Sequence, residues 1–234
     1  MGTSSDHGGG VGGRWTGAKR AGSSFARNGG ERNAQRALGR LVSALGGAAA
    51  VAAASGAASQ GAAGLGSLLG TASGQGLDRA LAQAGLPELV GDSAEEVVAA
   101  LIDSLAGSGD DRESQAARAA ACDVFEALLE DADTYEDLAA SLEGLDEIGE
   151  VMEQFMSAYV YWLLLPVIDE RLERREDPEL RSRRDKELRE VVAAVVEQKV
   201  SDESFRPAGW PTVTESEARQ LLQEVMAYLE EQDF

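Results

Sequence analysis

The stretch "FMSAYVYWLLLPVI" at residues 155–168 is the most apolar in the chain, and it decides the fold. Acidic segments flank it on both sides, and its fourteen residues are too few for a helix that crosses a membrane. Apolar side chains recur there at helical spacing, which predicts one buried stripe: Met152, Phe155, Met156, Tyr159, Trp162 and Leu163. We therefore predict the central buried helix of an all-α protein, kinked or interrupted at Pro166.

Helix-start signals occur on both sides of this stretch. Three pairs have the capping-box spacing, and one aspartate stands directly before a proline: Ser93 with Glu96, Thr134 with Asp137, Thr214 with Glu217, and Asp177 before Pro178. Runs that alternate apolar and polar residues, as strands do, are missing, and proline is scarce. The patterns predict an acidic all-helical domain over residues 77–234, with roughly five or six helices.

The charge of the chain is unevenly distributed. The formal net charge is −20, but residues 1–45 carry a net charge of +5 and the remaining residues −25. The basic residues of this first part are Arg14, Lys19, Arg20, Arg27, Arg32, Arg36 and Arg40. The acidic part should repel bare nucleic acid, so we do not expect the protein to bind it directly. The basic part could still bind nucleic acid weakly, or it could fold back on the acidic body.

Residues 1–33 are predicted to be a disordered tail, because Gly, Ser, Asn and Arg dominate there and little apolar surface can be buried. Val11, Trp15 and Phe25 are the exceptions, and they are either docking anchors or incidental. Residues 34–76 form an Ala/Gly-rich segment that is helical or only partly ordered. Its uncharged part, 46–76, is long enough to cross a bilayer, but its weak hydrophobicity favours close helix packing over membrane insertion.

The sequence holds few groups for chemistry. Cys122 is the only cysteine and His7 the only histidine, which excludes a Cys/His zinc site and places any catalytic histidine in the glycine-rich tail. Phosphate-loop and Glu-x-x-His motifs are missing, and we read the carboxylates around Glu150 as surface. We expect a cytoplasmic, non-enzymatic protein without catalytic residues, metal or cofactor.

The chain opens "MGTSSDHGGGVGGRW". Removal of Met1 would expose Gly2, but Asp6 stands where N-myristoylation requires Ser or Thr, so lipid attachment is disfavoured. What remains is an unhindered amine on a glycine-rich tether. Such an end can enter another protein's narrow active site.

Three segments together resemble the QatB family, the helical component of the Qat anti-phage defence system. They are the opening "MGTS", "GLPELVGDSAEEVVAALIDSLAG" in the middle, and "SAYVYWLLLPVIDERLERRE" with "LREVVAAVVEQKV" towards the end. The chain departs from the family after Gly13, where "GGRWTGAKRAG" keeps Trp15 but lacks the proline-containing segment of many family members.

The resemblance implies partners from the same operon: a QueC-like enzyme of 7-deazaguanine chemistry (QatC), and also an ATPase (QatA) and a TatD-like nuclease (QatD). QueC-like enzymes adenylate a carboxylate and then amidate it, so the implied role is a protein substrate modified at Gly2. The candidate modification or partner-binding residues are Gly2, Thr3, Ser4 and Trp15.

Two alternatives stay open: a nucleic-acid-binding adaptor that uses the basic tail with Trp15 and Phe25, and a membrane-active effector that inserts residues 46–76. We do not expect a membrane partner.

Overall fold

The computed structural model describes residues 11–107, 109–129, 132–145, 147–172, 177–201 and 209–232. None of these residues forms a β-strand, so the prediction of an all-α fold is confirmed. The α-helices are α1 (Val11–Asn28), α2 (Glu31–Ala44), α3 (Ala48–Ala54), α4 (Gly56–Gln75), α5 (Leu77–Gln83), α6 (Ala94–Ala106), α7 (Arg112–Leu129), α8 (Tyr135–Glu143), α9 (Ile148–Leu172), α10 (Pro178–Val200) and α11 (Glu215–Glu231). Two short 3-10 helices lie at Pro87–Leu89 and Trp210–Thr212.

The predicted capping boxes are confirmed at α6, α8 and α11. In each, the Ser or Thr side chain accepts a hydrogen bond from the backbone N–H three residues on, and the acidic side chain there accepts one from the cap residue's N–H. At α10, Asp177 accepts from the N–H groups of Glu179 and Leu180, and Pro178 fills the first helical position. These helix starts follow from local hydrogen bonding alone.

The central helix is α9, which begins at Ile148 and is longer than the apolar stretch predicts. Of the predicted stripe, Trp162 is half-buried and the other members are buried. The helix continues across Pro166 to Leu172, so the predicted interruption does not occur. Pro166 offers no N–H to the Trp162 carbonyl, but Leu164 and Ile168 on either side are buried. Packing of those turns maintains the helix.

The prediction of a disordered tail over residues 1–33 is wrong for residues 11–33, and residues 1–10 lie outside the described part of the chain. The hairpin of α1 and α2 packs against α9 and α10. Phe25 is completely buried, and Ala18, Ala21 and Ala26 are buried on α1. The composition of this segment indicates too little apolar surface for a folded structure. Its small side chains, however, let α1 approach its neighbours closely, so the few apolar atoms that are buried pack well enough to hold the helix on the core.

The Ala/Gly-rich segment 34–76 forms α2, α3 and α4, so the alternative of a partly ordered linker is excluded. Helix α4 packs against α6, α7, α9 and α11, and one continuous apolar core joins them. The proposed boundary at residue 77 therefore does not separate two cores. Among the described residues, no single helix has the length and hydropathy of a membrane span. Helices α2 and α3 have this length and hydropathy only when they are taken together, and the angle between them is 71°.

Candidate functional site

The α1–α2 hairpin carries the only predicted site residue that the structure describes, Trp15. A two-glycine turn joins its helices: Gly29 and Gly30 have φ angles of 62° and 85°, in the left-handed region that favours glycine. A methyl group on Gly29 would lie 1.9 Å from a guanidinium nitrogen of Arg184 on α10. The turn is thus built for close contact with α10.

A polar pair on α10 holds this turn. Arg184 is buried and forms an ion pair of 2.7 Å with Glu187, while the second carboxylate oxygen of Glu187 accepts a hydrogen bond of 2.9 Å from the Gly30 N–H. Within the hairpin, the Asn33 side chain donates to the Gly29 carbonyl at 2.6 Å. The hairpin is therefore tied to the rest of the protein by charge-assisted hydrogen bonds as well as by Phe25.

Trp15 lies on α1, half-buried and packed against the core. Its indole therefore presents only part of its surface to a partner. Gly2, Thr3 and Ser4, the other predicted modification or partner-binding residues, lie outside the described residues. Phe25 is fully buried, so the expectation that it could stack on a nucleic-acid base is wrong.

The exposed side of the hairpin is basic. Arg20 on α1 and Arg36 and Arg40 on α2 line one groove of about 400 Å³ together with three small residues of α1: Gly17, Ala21 and Ser24. Sequence reasoning counted these arginines among the basic residues of the first 45 positions but missed the groove. Positions 36 and 40 share a helix face by spacing alone. Their meeting with Arg20 depends on the turn at Gly29 and Gly30.

A polar cluster with Ser55 and Tyr159 buried and Glu113 half-buried joins α4, α7 and α9. The Glu113 carboxylate accepts hydrogen bonds from the backbone N–H groups of Ala57 at 3.1 Å and Ala58 at 2.8 Å, at the first turn of α4. The Tyr159 hydroxyl donates to the Ser55 hydroxyl oxygen at 2.8 Å. Burial raises the pKa of Tyr159, so its hydroxyl stays protonated. These contacts fix the start of α4, which has no capping side chain of its own.

A second cluster fastens α10 to α9. The Arg189 guanidinium lies 3.9 Å from the centre of the Tyr161 ring and 5.3 Å from that of Trp162. The Trp162 indole N–H donates to Asp123 at 2.9 Å, and Arg189 pairs with the same carboxylate at 3.3 Å. The Tyr161 hydroxyl donates to Asp185, and burial raises the pKa of that hydroxyl. The partial burial of Trp162 thus follows from its contacts with Asp123 on α7 and Arg189 on α10.

The carboxylates predicted to form surface lie near the start of α9. Glu147 and Glu150 are exposed and Glu153 is half-buried, while Asp146 lies outside the described residues. A hydrogen bond and repulsion from Glu147 raise the pKa of Glu150, and burial with repulsion from Glu197 raises that of Glu153. In the part of the chain that the structure describes, no cluster of three or more His, Cys, Asp or Glu residues could hold a metal ion.

Cys122 lies on α7 as a half-buried free thiol. Burial raises the pKa of this thiol, and the nearby Glu126 carboxylate raises it further. Thiolate is the reactive form of cysteine, so this environment suppresses nucleophilic reactivity. The observation agrees with the interpretation of Cys122 as a packing residue.

The described residues thus define a class of protein: an all-helical domain whose α1–α2 hairpin contributes to the core and carries exposed arginines on its outer side. Its clustered polar groups hold helices together.

The chain belongs to the QatB family, because the family model described as "Qat anti-phage system associated protein QatB" matches residues 46–228. It is therefore a component of the Qat anti-phage system, as the resemblance implies. No curated protein and no solved structure matches the chain. Helices α1 and α2 precede the matched region.

Proposed function

We propose that this chain is a non-catalytic, cytoplasmic subunit of the Qat system that docks partner proteins and presents its Met-Gly-Thr-Ser end to the QueC-like partner QatC. In this proposal Gly2 is the residue modified. The ATPase QatA and the nuclease QatD are further candidates for docking on the helical body. The observation that carries the proposal is the anchoring of α1, which gives residues 2–10 a fixed point of attachment.

The geometry of the anchor supports presentation. Helix α1 begins at Val11, and Phe25 at its far end is completely buried. The nine residues from 2 to 10 can extend to about 30 Å, since each extended residue spans roughly 3.3 Å. That reach allows the Gly2 amine to enter a deep active site while the hairpin stays on the core.

The proposed reaction is an amide bond formation. QatC would adenylate the carboxylate of a 7-deazaguanine compound with ATP, releasing pyrophosphate. The neutral α-amine of Gly2 would then attack the activated carbonyl, with loss of AMP and one proton. An α-amine has a pKa near 8, so about a tenth of it is neutral at pH 7. Gly2 has no side chain to hinder the attack.

Intact-mass spectrometry tests the proposal directly. The chain is co-expressed with its operon neighbours and purified, and its mass and that of its N-terminal peptide are measured. We expect the chain without Met1 to carry the added heterocyclic acyl group on Gly2. Gly2→Leu should abolish the addition, whereas the matched variant Gly9→Ala should keep it. An unmodified chain without Met1, in the presence of active QatC, would refute modification at Gly2.

The alternative of an adaptor that stacks nucleic-acid bases on the tail aromatics has lost its main feature, because Phe25 is fully buried and Trp15 packs against the core. Binding of single strands without sequence preference usually relies on such stacking platforms. The arginines of the hairpin are exposed, however, and they require a separate explanation.

A further inference from the structure

The groove between α1 and α2, which we call the arginine groove, concentrates positive charge on an acidic protein. It is lined by Arg20, Arg36 and Arg40 with Gly17, Ala21 and Ser24. The chain has 41 acidic and 21 basic residues, yet no carboxylate from the described part of the chain lines this groove. Among the described residues, neither Arg20 nor Arg36 has an ion-pair partner. In a chain with twice as many acids as bases, two neighbouring arginines without a carboxylate indicate a place for an external anion.

The small residues of α1 shape the groove. A methyl group on Gly17 would lie 3.6 Å from Cδ of Arg40, so the aliphatic part of Arg40 lies across the glycine. Gly17, Ala21 and Ser24 fall on one face of α1 by helical spacing. Larger side chains at these positions would fill the space between the helices. The backbone and these small side chains therefore form a floor, with guanidinium groups from both helices at its sides.

We propose that the arginine groove binds a phosphate-bearing ligand through its phosphate groups. Guanidinium groups bind phosphate oxygens in a bidentate manner, and their planar donors suit this geometry better than lysine does. The volume of about 400 Å³ suits a di- or triphosphate or a short length of nucleic-acid backbone. None of the described residues that line the groove is aromatic, so the phosphates and not the bases carry the recognition.

This inference is independent of modification at Gly2, since it concerns the helical hairpin. The phosphates have two sources, a free nucleotide or the backbone of a nucleic acid, and both share the chemistry that the groove recognises. The rest of the chain carries a net charge of −25, which opposes the approach of long polyanions. We expect binding to weaken as salt increases, because exposed charges are screened.

The test uses the full chain and four probes: pyrophosphate, ATP, a 20-nucleotide single-stranded DNA, and polyglutamate of matching length. Binding is measured by titration calorimetry, and by fluorescence anisotropy for the DNA, at 50 and 200 mM NaCl. The groove variant is Arg20→Glu with Arg36→Glu. The control is Arg79→Glu with Arg219→Glu, which changes the net charge equally at exposed positions outside the groove.

We expect at least one phosphate probe to bind, with a loss of at least tenfold in the groove variant and less than twofold in the control. Tighter binding of ATP and pyrophosphate assigns the groove to free phosphates, and tighter binding of DNA assigns it to a nucleic-acid backbone. Arg36→Lys keeps the charge but not the bidentate geometry, and it should weaken binding several-fold even if the double variant does not fold. Equal losses in both double variants, polyglutamate binding as tight as any phosphate probe, or no binding at 50 mM NaCl would overturn the proposal.

Discussion

Replacing Gly66 with alanine should destabilise the protein, although alanine is the better helix former. A methyl group at this position of α4 would lie 2.3 Å from the Trp210 carbonyl oxygen and 3.2 Å from Cγ1 of Val213. The first contact involves backbone, so the 3-10 helix at Trp210–Thr212 would have to move away from α4. Overpacking of this kind costs about 1–3 kcal/mol. The helix propensity gained on removing glycine offsets about 0.5–1 kcal/mol of this cost.

Gly74→Ala is the matched control in the same helix. A methyl group on Gly74 meets no atom within 4 Å, and its backbone does not need a positive φ angle. We expect this variant to be more stable than the parent by about 0.5–1 kcal/mol. Both substitutions replace glycine in the same helix, and Gly74 in the last turn gains at most the propensity that Gly66 gains in the middle. The difference between the two variants therefore gives a lower bound on the cost of close approach, which we expect to be about 1–3 kcal/mol.

Urea unfolding followed by circular dichroism at 222 nm measures both variants against the parent. For a chain of this size, the difference should also appear as roughly 2–4 °C in Tm for each kcal/mol. Equal stability of Gly66→Ala and Gly74→Ala would refute the reasoning, since it would mean that α4 does not approach the segment at Trp210 through its glycine.

Three further predictions concern the charged and reactive groups. Glu187→Ala removes the carboxylate that accepts hydrogen bonds from the buried Arg184 guanidinium and from the Gly30 N–H of the hairpin turn. It should lower the free energy of unfolding in urea by about 2–3 kcal/mol. Glu190→Ala, an exposed control one turn away, should change that free energy by no more than about 0.5 kcal/mol. Glu150→Gln should stabilise the protein at pH 7, because it removes the repulsion between Glu150 and Glu147. This gain in the free energy of unfolding should become smaller at acidic pH, because Glu150 of the parent is protonated below its raised pKa and the repulsion is then already relieved. A gain that persists in acid would contradict this cause. Cys122 should react with a disulfide reagent at pH 8 more slowly than free cysteine, since its raised pKa leaves less thiolate, and a rate equal to that of free cysteine would contradict its burial.

The elements predicted correctly from sequence are those that local interactions specify. The Ser93, Thr134 and Thr214 capping boxes need only four consecutive residues, and each begins a helix where predicted. The stripe of α9 was found because its large side chains leave a helical period in the sequence. Even there, the acidic residues before the stripe concealed about one turn of the same helix, which begins at Ile148.

The candidate site was only partly predictable. Trp15 was recognised by residue type, but its half-buried place on α1 depends on the neighbouring core. The hairpin holding it depends on Arg184 and Glu187, which lie more than 150 residues away along the chain. In the sequence, these two residues stand in a run of charged residues that is typical of a solvated helix face. The burial of Arg184 could not be predicted, because charged residues are mostly exposed and a buried ion pair leaves no local sequence pattern.

The amino-acid sequence by itself determined the helical class, the helix starts, the identity of the central helix and the division of charge between a basic beginning and an acidic remainder. Only the tertiary structure decided that α1 and α2, residues 11–44, form a hairpin and that three of its arginines share one groove. The physical reason lies in the size of the side chains: alanine and glycine bury little area each, so composition indicates disorder. Their small size also lets helices approach closely, and the contacts thereby gained with residues distant in sequence stabilise the fold.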